Sequence, residues 1–385
     1  MFEDPTKQKI GIIGGGQLGK MMILEAKKMN FYISILDPTP NCPAHSIADD
    51  HIVADFDNEQ AIRELADKSD VLTYEFEHIG VEALKKLEGE GYKIYPTVKS
   101  LEIIKNKYHQ KKLLAKNNIP IPDFISVSNI DDIKSAGKEF SYPMMLKSCT
   151  GGYDGKGNAV INNLDEIKSA YESLGAGEFE LMVERFVPFS KEISILACRV
   201  IDGEIAVYPV AENEHQDSIL IETKVPAEIL ESLKEDAVKL AYQVMEVFEG
   251  VGIFCIEMFV TEDEELLINE IAPRPHNSGH YSIEGCITSQ FEQHIRAITG
   301  LPLGSTSLLR PIVMRNILGE GEQGKAIVYG IKEAFEESDL KVHIYGKEIS
   351  KPQRKMGHLT VTADRIEDAL EKALQASKII KINGE

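Results

Sequence analysis

The stretch "KIGIIGGGQLGKMM" (9–22) limits the possible folds more than any other part of the chain. An apolar run stops at three glycines, Gly14 to Gly16, and a helical pattern starts at Gln17, so the segment reads as strand, tight turn and helix. The alternation continues to about position 96, with a helix over 17–29, the strand "YISIL", a helix over 59–68, the strand "VLTY" and a helix over 81–87. Such a β-α-β series requires a parallel sheet covered by helices. The chain therefore opens with an α/β unit.

Gly14, Gly16 and Gly19 satisfy G-x-G-x-x-G, and Asp37 ends the next strand, where a ribose-binding acid would stand. On its own the turn favours a dinucleotide. The alternative is that the glycines only permit close strand-to-helix packing and leave the helix N-terminus to another anion. The turn by itself leaves both readings open.

Charge narrows the choice of partners. A formal net charge of -20 repels a phosphate backbone, so nucleic acid is excluded and any phosphate-bearing ligand must be small and held by local cations or amides. No apolar run approaches the roughly 20 residues needed to cross a bilayer, and "MFEDPTKQKI" lacks the layout of a signal peptide. The expectation is a cytoplasmic protein with no membrane partner. The five cysteines are scattered without C-x-x-C spacing, which argues against disulfides and against zinc.

Beyond the first unit comes a basic helix over 105–117 ended by "IPIP", then the strand "FISV", a helix over 131–140 and the apolar run "PMMLKS". Next is "CTGGYDGKGNAVI", whose glycines at 151, 152, 155 and 157 suit a mobile hairpin or loop. Strands follow around "ELMVERFV", "EISILACRV" and "GEIAVYPV". In "AEILESLKEDAVKLAYQVMEVF", Ile229, Leu233, Ala237, Leu240, Val244 and Val247 give a helix with one apolar face. The strands "GIFCIEMFV" and "ELLINEI" come next, and the tail carries "VHIYGK", "RKMGHLTVTA" and a helix from Arg365.

Phosphoryl transfer from ATP needs cations on the phosphates, acids to hold magnesium, and a cover against water. Lys147 ends a buried-looking strand beside the glycine-rich loop and is placed to reach phosphates. Glu257 and Glu270 lie on facing apolar strands, where two carboxylates repel unless a cation sits between them. Arg274, between two prolines in "NEIAPRPHNSGHY", is held stiffly enough to aim at an anion. His276 and His280 have metal spacing for a helix, but Pro275 and Gly279 speak against one, so they read as substrate contacts or loop partners. Lys347, Arg354 and Lys355 form a small basic group suited to a substrate phosphate.

Together these motifs, with "LTYEFEHI", "LKSCTGGYDGKG", "VERFV", "KEIS" and "ENEH", resemble the ATP-grasp superfamily. The resemblance is closer to the 5-(carboxyamino)imidazole ribonucleotide synthetases of purine biosynthesis, and it covers nearly the whole chain. It implies an α/β ATP-grasp fold: a Rossmann-like domain over 1–98, an ATP-grasp domain over 99–300 with a lid about 124–184, and a small C-terminal domain over 301–385. It also implies a first domain that binds no dinucleotide and whose glycine turn helps to hold the nucleotide substrate.

Residue by residue, the resemblance assigns Lys107 and Lys147 to ATP phosphates, with Gly152, Tyr153, Asp154, Gly155, Lys156, Gly157 and Asn158 as the closing loop. Glu184, Arg185, Phe186 and Val187 fall at the adenine, Glu192 at the ribose, and His215 on the nucleotide as well. Glu257 and Glu270 fall to magnesium, with Asn269 beside them. The ribonucleotide falls to Gln17, Leu18, Glu75, Tyr153, Asp154, Arg274, His276, Asn277, Lys347, Arg354 and Lys355. Asp154 stands near the amine, Arg274 and His276 near bicarbonate. Relatives often carry Arg where this chain has Lys107, which replaces a fork with a point charge. The implied reaction is ATP-dependent carboxylation of 5-aminoimidazole ribonucleotide, by a homodimer. Rivals are a formate-using glycinamide ribonucleotide transformylase or another carboxylate-amine ligase, a nicotinamide oxidoreductase, and a non-catalytic nucleotide-binding regulator.

Overall fold

The computed structural model describes residues 4–152 and 157–385. The opening series folds as read, into a parallel sheet in the order Asp50–Ile52, Tyr32–Leu36, Lys9–Ile13, Val71–Tyr74. The short strand Asp50–Ile52 was not read from the sequence. Helix Gln17–Lys28 buries Leu18, Met21, Met22 and Ile23 in a cluster that also takes in Ile253, Ile295 and Tyr345 from far along the chain. That shared core fixes the glycine turn relative to the rest of the molecule.

The basic helix predicted over 105–117 is two helices, Val98–Lys105 and Lys107–Lys116. The break is at Asn106, whose extended backbone lets its side chain accept from the His109 amide at 3.0 Å and cap the second helix. The Lys107 amide donates instead to the Cys149 carbonyl at 2.8 Å, tying the helix start to the glycine-rich loop.

Residues from the "FISV" strand to "ELMVERFV" form a small antiparallel sheet in the order Phe124–Val127, Leu181–Arg185, Met144–Ser148, Asn158–Ile161. The last two, on either side of the glycine-rich segment, pair directly with each other. Below it lies a sheet of twelve strands among the described residues, with Leu266–Ala272, Gly252–Thr261, Phe189–Arg199, Ala211–Gln216 and Ile219–Val225 in succession. Helix Glu231–Phe248 packs Leu233, Ala237, Leu240 and Val244 on Ile193, Ile195, Phe254 and Ile256. Each such leucine gains about 1.5–3 kcal/mol by leaving water. The tail does not form a detached sheet: Ile312–Gly321 pairs antiparallel with Ile219–Val225 and so continues the same sheet.

Candidate active site

The glycine turn forms the first site. The Glu75 carboxylate, at the end of the neighbouring strand, accepts from the Gly16 amide at 2.5 Å and the Gly19 amide at 2.6 Å. Asp37 accepts from Gly15 at 2.8 Å and from Thr39 at 2.8 Å. The amides that would cradle a pyrophosphate are thus already held by the protein's own carboxylates, and Asp37 faces into the turn. This overturns the dinucleotide alternative. The glycines are required by that filling: a Cβ on Gly14, whose φ is +110°, would lie 2.3 Å from Glu75 Cγ. The amides of Gln17 and Leu18 have no acceptor among the described residues.

The second site lies between the small antiparallel sheet and the twelve-stranded sheet. Helix Lys107–Lys116 presents Lys107 and Lys111 one turn apart on the same face. Lys107 Nζ donates to Glu270 Oε2 at 2.9 Å. Lys111, which the sequence reading did not single out, meets Glu184 Oε1 at 3.1 Å and the Asn269 carbonyl at 3.2 Å. Lys147 meets the other Glu184 oxygen at 2.7 Å and Asn269 Oδ1 at 3.5 Å. Burial alone would raise the Glu184 carboxyl, but Lys111 and Lys147 outweigh it and hold the group at about 2. Its carboxylate is therefore committed to two lysines. Arg185 likewise points its side chain at Asp123 Oδ2, 2.9 Å, and at the Phe140 carbonyl.

Glu257 and Glu270 are direct partners across the strand pair, as read, with a register shift immediately after Glu257. Burial, with Glu270 and Glu192 nearby, pushes the Glu257 carboxyl up to about 7 against the pull of His215 and Lys107. Glu270 goes the other way: burial is outweighed by Lys107 and its carboxyl is lowered. Among the described residues no group of three His, Cys, Asp or Glu could hold a metal alone. Two carboxylates fit magnesium that arrives with phosphates, because that ion usually takes one or two protein carboxylates and substrate oxygens. Glu192 and His215 form a pair at 2.7 Å on adjacent strands.

Arg274 is aimed by Glu77, its Nε 2.9 Å from Oε1. His276 Nε2 lies 3.8 Å from Glu257 Oε1, while its Nδ1 faces Ser278 Oγ at 2.9 Å. Burial first, and Arg274 next, pull its pKa well below the ordinary histidine value, so the ring is neutral. Asn277 exchanges side-chain amide bonds with Asn316 at 3.0 and 2.7 Å, a partner the sequence gave no sign of. His280 is buried, against Gln290 and 4.6 Å from the His358 ring, and is a loop partner rather than a substrate contact.

The tail brings its basic group to the first helix. Lys20 Nζ donates to the carbonyls of Ile344 and Tyr345 at 3.3 and 3.1 Å, which sets Lys347 over the start of helix Gln17–Lys28. Burial raises the Glu75 carboxyl on balance, while the Gly19 and Gly16 amides and, last, the charge of Lys347 pull it the other way. Its Nζ donates to the Lys355 carbonyl at 2.7 Å, and Arg354 donates to the Ile349 carbonyl. Gly152, Gly157 and Asn158 belong to the glycine-rich segment, with the Gly157 carbonyl accepting from the Ser148 amide. Tyr153, Asp154, Gly155 and Lys156 lie outside the described residues.

Three family descriptions match along the chain: the ribonucleotide synthetase preATP-grasp domain over 7–105, the ATP-grasp domain over 112–291, and the phosphoribosylaminoimidazole carboxylase C-terminal domain over 312–372. The N5-carboxyaminoimidazole ribonucleotide synthase of Bacillus subtilis is 42% identical over 351 residues, covering 91% of this chain and 90% of its own. The N5-carboxyaminoimidazole ribonucleotide synthetase of Thermotoga maritima has a crystal structure with TM-score 0.90 and 50% identity, over 98% of this chain and 100% of that one. An Aspergillus clavatus synthase, solved in complex with ADP and 5-aminoimidazole ribonucleotide, matches with TM-score 0.88 and 34% identity over 97% of this chain and 99% of its own. With identity of this order running through all three regions, the chain belongs to the N5-carboxyaminoimidazole ribonucleotide synthase family of ATP-grasp ligases.

Proposed function

We propose that this protein joins bicarbonate to the exocyclic amine of 5-aminoimidazole ribonucleotide, converting ATP to ADP and phosphate. The observation that carries this reading is the convergence of Glu257, Glu270, Lys107 and Lys147 in one cleft, with Arg274 and His276 on the strand exit beside them. Bicarbonate is a poor electrophile, because attack on it must expel a strongly basic oxygen. Phosphorylation supplies a better leaving group. A bicarbonate oxygen takes the γ-phosphoryl group of ATP to give carboxyphosphate; the amine nitrogen then bonds to the carboxyl carbon, directly or through released carbon dioxide, and phosphate leaves with that oxygen.

Lys107 and Lys147 would neutralise the phosphates, and the main chain at 184–187 would meet the adenine, with Glu192 and His215 at the ribose end. Glu257 and Glu270 would hold magnesium, which when bound offsets charge on the transferred phosphoryl group. The amides of Gln17 and Leu18 with Lys347, Arg354 and Lys355 would hold the ribonucleotide phosphate. Arg274 would orient bicarbonate, with Asp154 near the amine, and the 152–158 loop would exclude water. The three domains would meet near 98 and 300, and the active form would be a cytoplasmic homodimer.

The test is turnover with 18O-labelled bicarbonate. One labelled oxygen should appear in the released phosphate. Phosphate without label would mean that water, not bicarbonate, accepts the phosphoryl group.

A further inference from the structure

Ser278 sits in the short turn Asn277–Gly279 directly after His276, and both its main-chain N–H and its hydroxyl face the imidazole. The N–H lies 3.3 Å from Nδ1 and the hydroxyl oxygen 2.9 Å from it. A main-chain N–H can only donate, so Nδ1 must present a lone pair. An imidazolium, which donates from both nitrogens, does not fit this turn. The hydroxyl proton is directed to the same atom by what lies behind it. Thr223 Oγ1 donates to Asn213 Oδ1 at 2.9 Å, Asn213 Nδ2 donates to Ser194 Oγ at 2.9 Å, and Ser194 Oγ donates to Ser278 Oγ at 3.0 Å. With its oxygen receiving from Ser194, Ser278 keeps its own proton for the Nδ1 lone pair that the main-chain N–H requires, 2.9 Å away.

All four side chains are buried, at 0% exposure for Thr223, 7% for Asn213, 2% for Ser194 and 1% for Ser278. Three strands of the large sheet carry Thr223, Asn213 and Ser194, namely Ile219–Val225, Ala211–Gln216 and Phe189–Arg199, with Asn213 directly opposite Thr223 in register. The direction of the chain is set by the Asn213 amide, because its NH2 end can only donate and its oxygen can only accept. Cys255 Sγ, 3.5 Å from Ser278 Oγ, is the one other side chain at that hydroxyl among the described residues.

We propose that the buried chain Thr223, Asn213, Ser194, Ser278 fixes His276 as the tautomer with its proton on Nε2, so that the ring donates a hydrogen bond to the reacting carboxyl group. The role given to the ring rests on the placement of His276 at the bicarbonate end. Nε2 is 3.8 Å from the nearest Glu257 oxygen, too far for a hydrogen bond to it. A neutral N–H aimed there meets oxygen on which charge grows as the amine attacks. Ser278, Ser194, Asn213 and Thr223 act through His276 and are positioning residues.

Long-range 1H–15N correlation on protein labelled with 15N-histidine reads the tautomer directly, His276 being assigned by its loss in His276→Asn. The expected pattern is an unprotonated Nδ1 and a protonated Nε2. A protonated Nδ1, alone or in the cation, overturns the proposal. In steady-state kinetics Ser278→Ala, and Ser194→Ala one link further away, should each lower kcat about tenfold with the KM for ATP unchanged. An unchanged kcat in both variants also overturns it. A fully active His276→Asn would overturn the placement of His276 in the reaction, and with it the ring's role, while the tautomer measurement still stands.

Discussion

The glycine turn and the nucleotide cleft are both built to attract charge, and they differ in whether the charge is satisfied. In the turn, the carboxylates of Glu75 and Asp37 meet the amides of Gly15, Gly16 and Gly19, and both partners are supplied by the protein. In the cleft, Glu184 is shared by Lys111 and Lys147 and Glu270 is held by Lys107, but Glu257 meets His276 across 3.8 Å among the described residues, and its carboxyl is pushed up to about 7. In the turn the protein's own carboxylates take the glycine amides and leave those of Gln17 and Leu18, whereas in the cleft one buried carboxyl keeps a raised pKa. A phosphate-binding motif therefore shows the shape of an anion site, and its partners decide whether a ligand can use it.

The largest effect should come from breaking the unfinished side. Glu270→Gln keeps the shape but removes one of the two facing carboxylates, and should lower ADP release about a thousandfold with the circular dichroism spectrum unchanged. A fully active variant would remove Glu270 from the metal role. The satisfied part of the cleft responds through stability. Lys111→Met leaves Glu184 buried with one ammonium instead of two and should cost about 3 kcal/mol in urea unfolding at neutral pH. Because the folded Glu184 carboxyl, at about 2, lies below its ordinary 4.5, the stability it confers is complete above 4.5 and is lost as pH falls from 4.5 towards 2. The gap between Lys111→Met and the parent should narrow through that window; a gap independent of pH would mean that Lys111 acts by packing alone.

On the turn, Gly19→Ala would put a Cβ 2.5 Å from the Gly14 carbonyl oxygen, a main-chain atom that cannot swing away. A loss of about 2 kcal/mol in thermal unfolding is expected, larger than for Gly16→Ala, where the Cβ meets the end of the Glu75 side chain. Equal losses would show that the turn is looser than its hydrogen bonds imply. The smallest effect should be Lys347→Ala, raising the KM for the ribonucleotide about tenfold and leaving that for ATP unchanged. An unchanged ribonucleotide KM would take Lys347 out of the phosphate site.

Local features were readable from sequence and distant pairings were not. The strand and helix around Gly14 to Gly19 follow from periodicity, and so does the placing of Glu257 and Glu270 on facing strands, since one turn joins them. The capture of the glycine amides by Glu75 joins residues 56 and 59 positions apart, and nothing local to either announces it. Lys111 was lost in a basic run read as one helix. The signal was present in "NKYHQK", where Asn106 can cap and Lys107 and Lys111 then fall four apart on a new helix. Asn316 and Ser278 carry no chemistry of their own; only the folded sheet shows what they hold.

The most direct test of the account is ADP release from Mg-ATP and bicarbonate, with and without 5-aminoimidazole ribonucleotide. Strong stimulation by the ribonucleotide is the predicted result. No stimulation, from protein shown to be folded and to bind ATP, would contradict the account and point to glycinamide ribonucleotide with formate as the next pair to try.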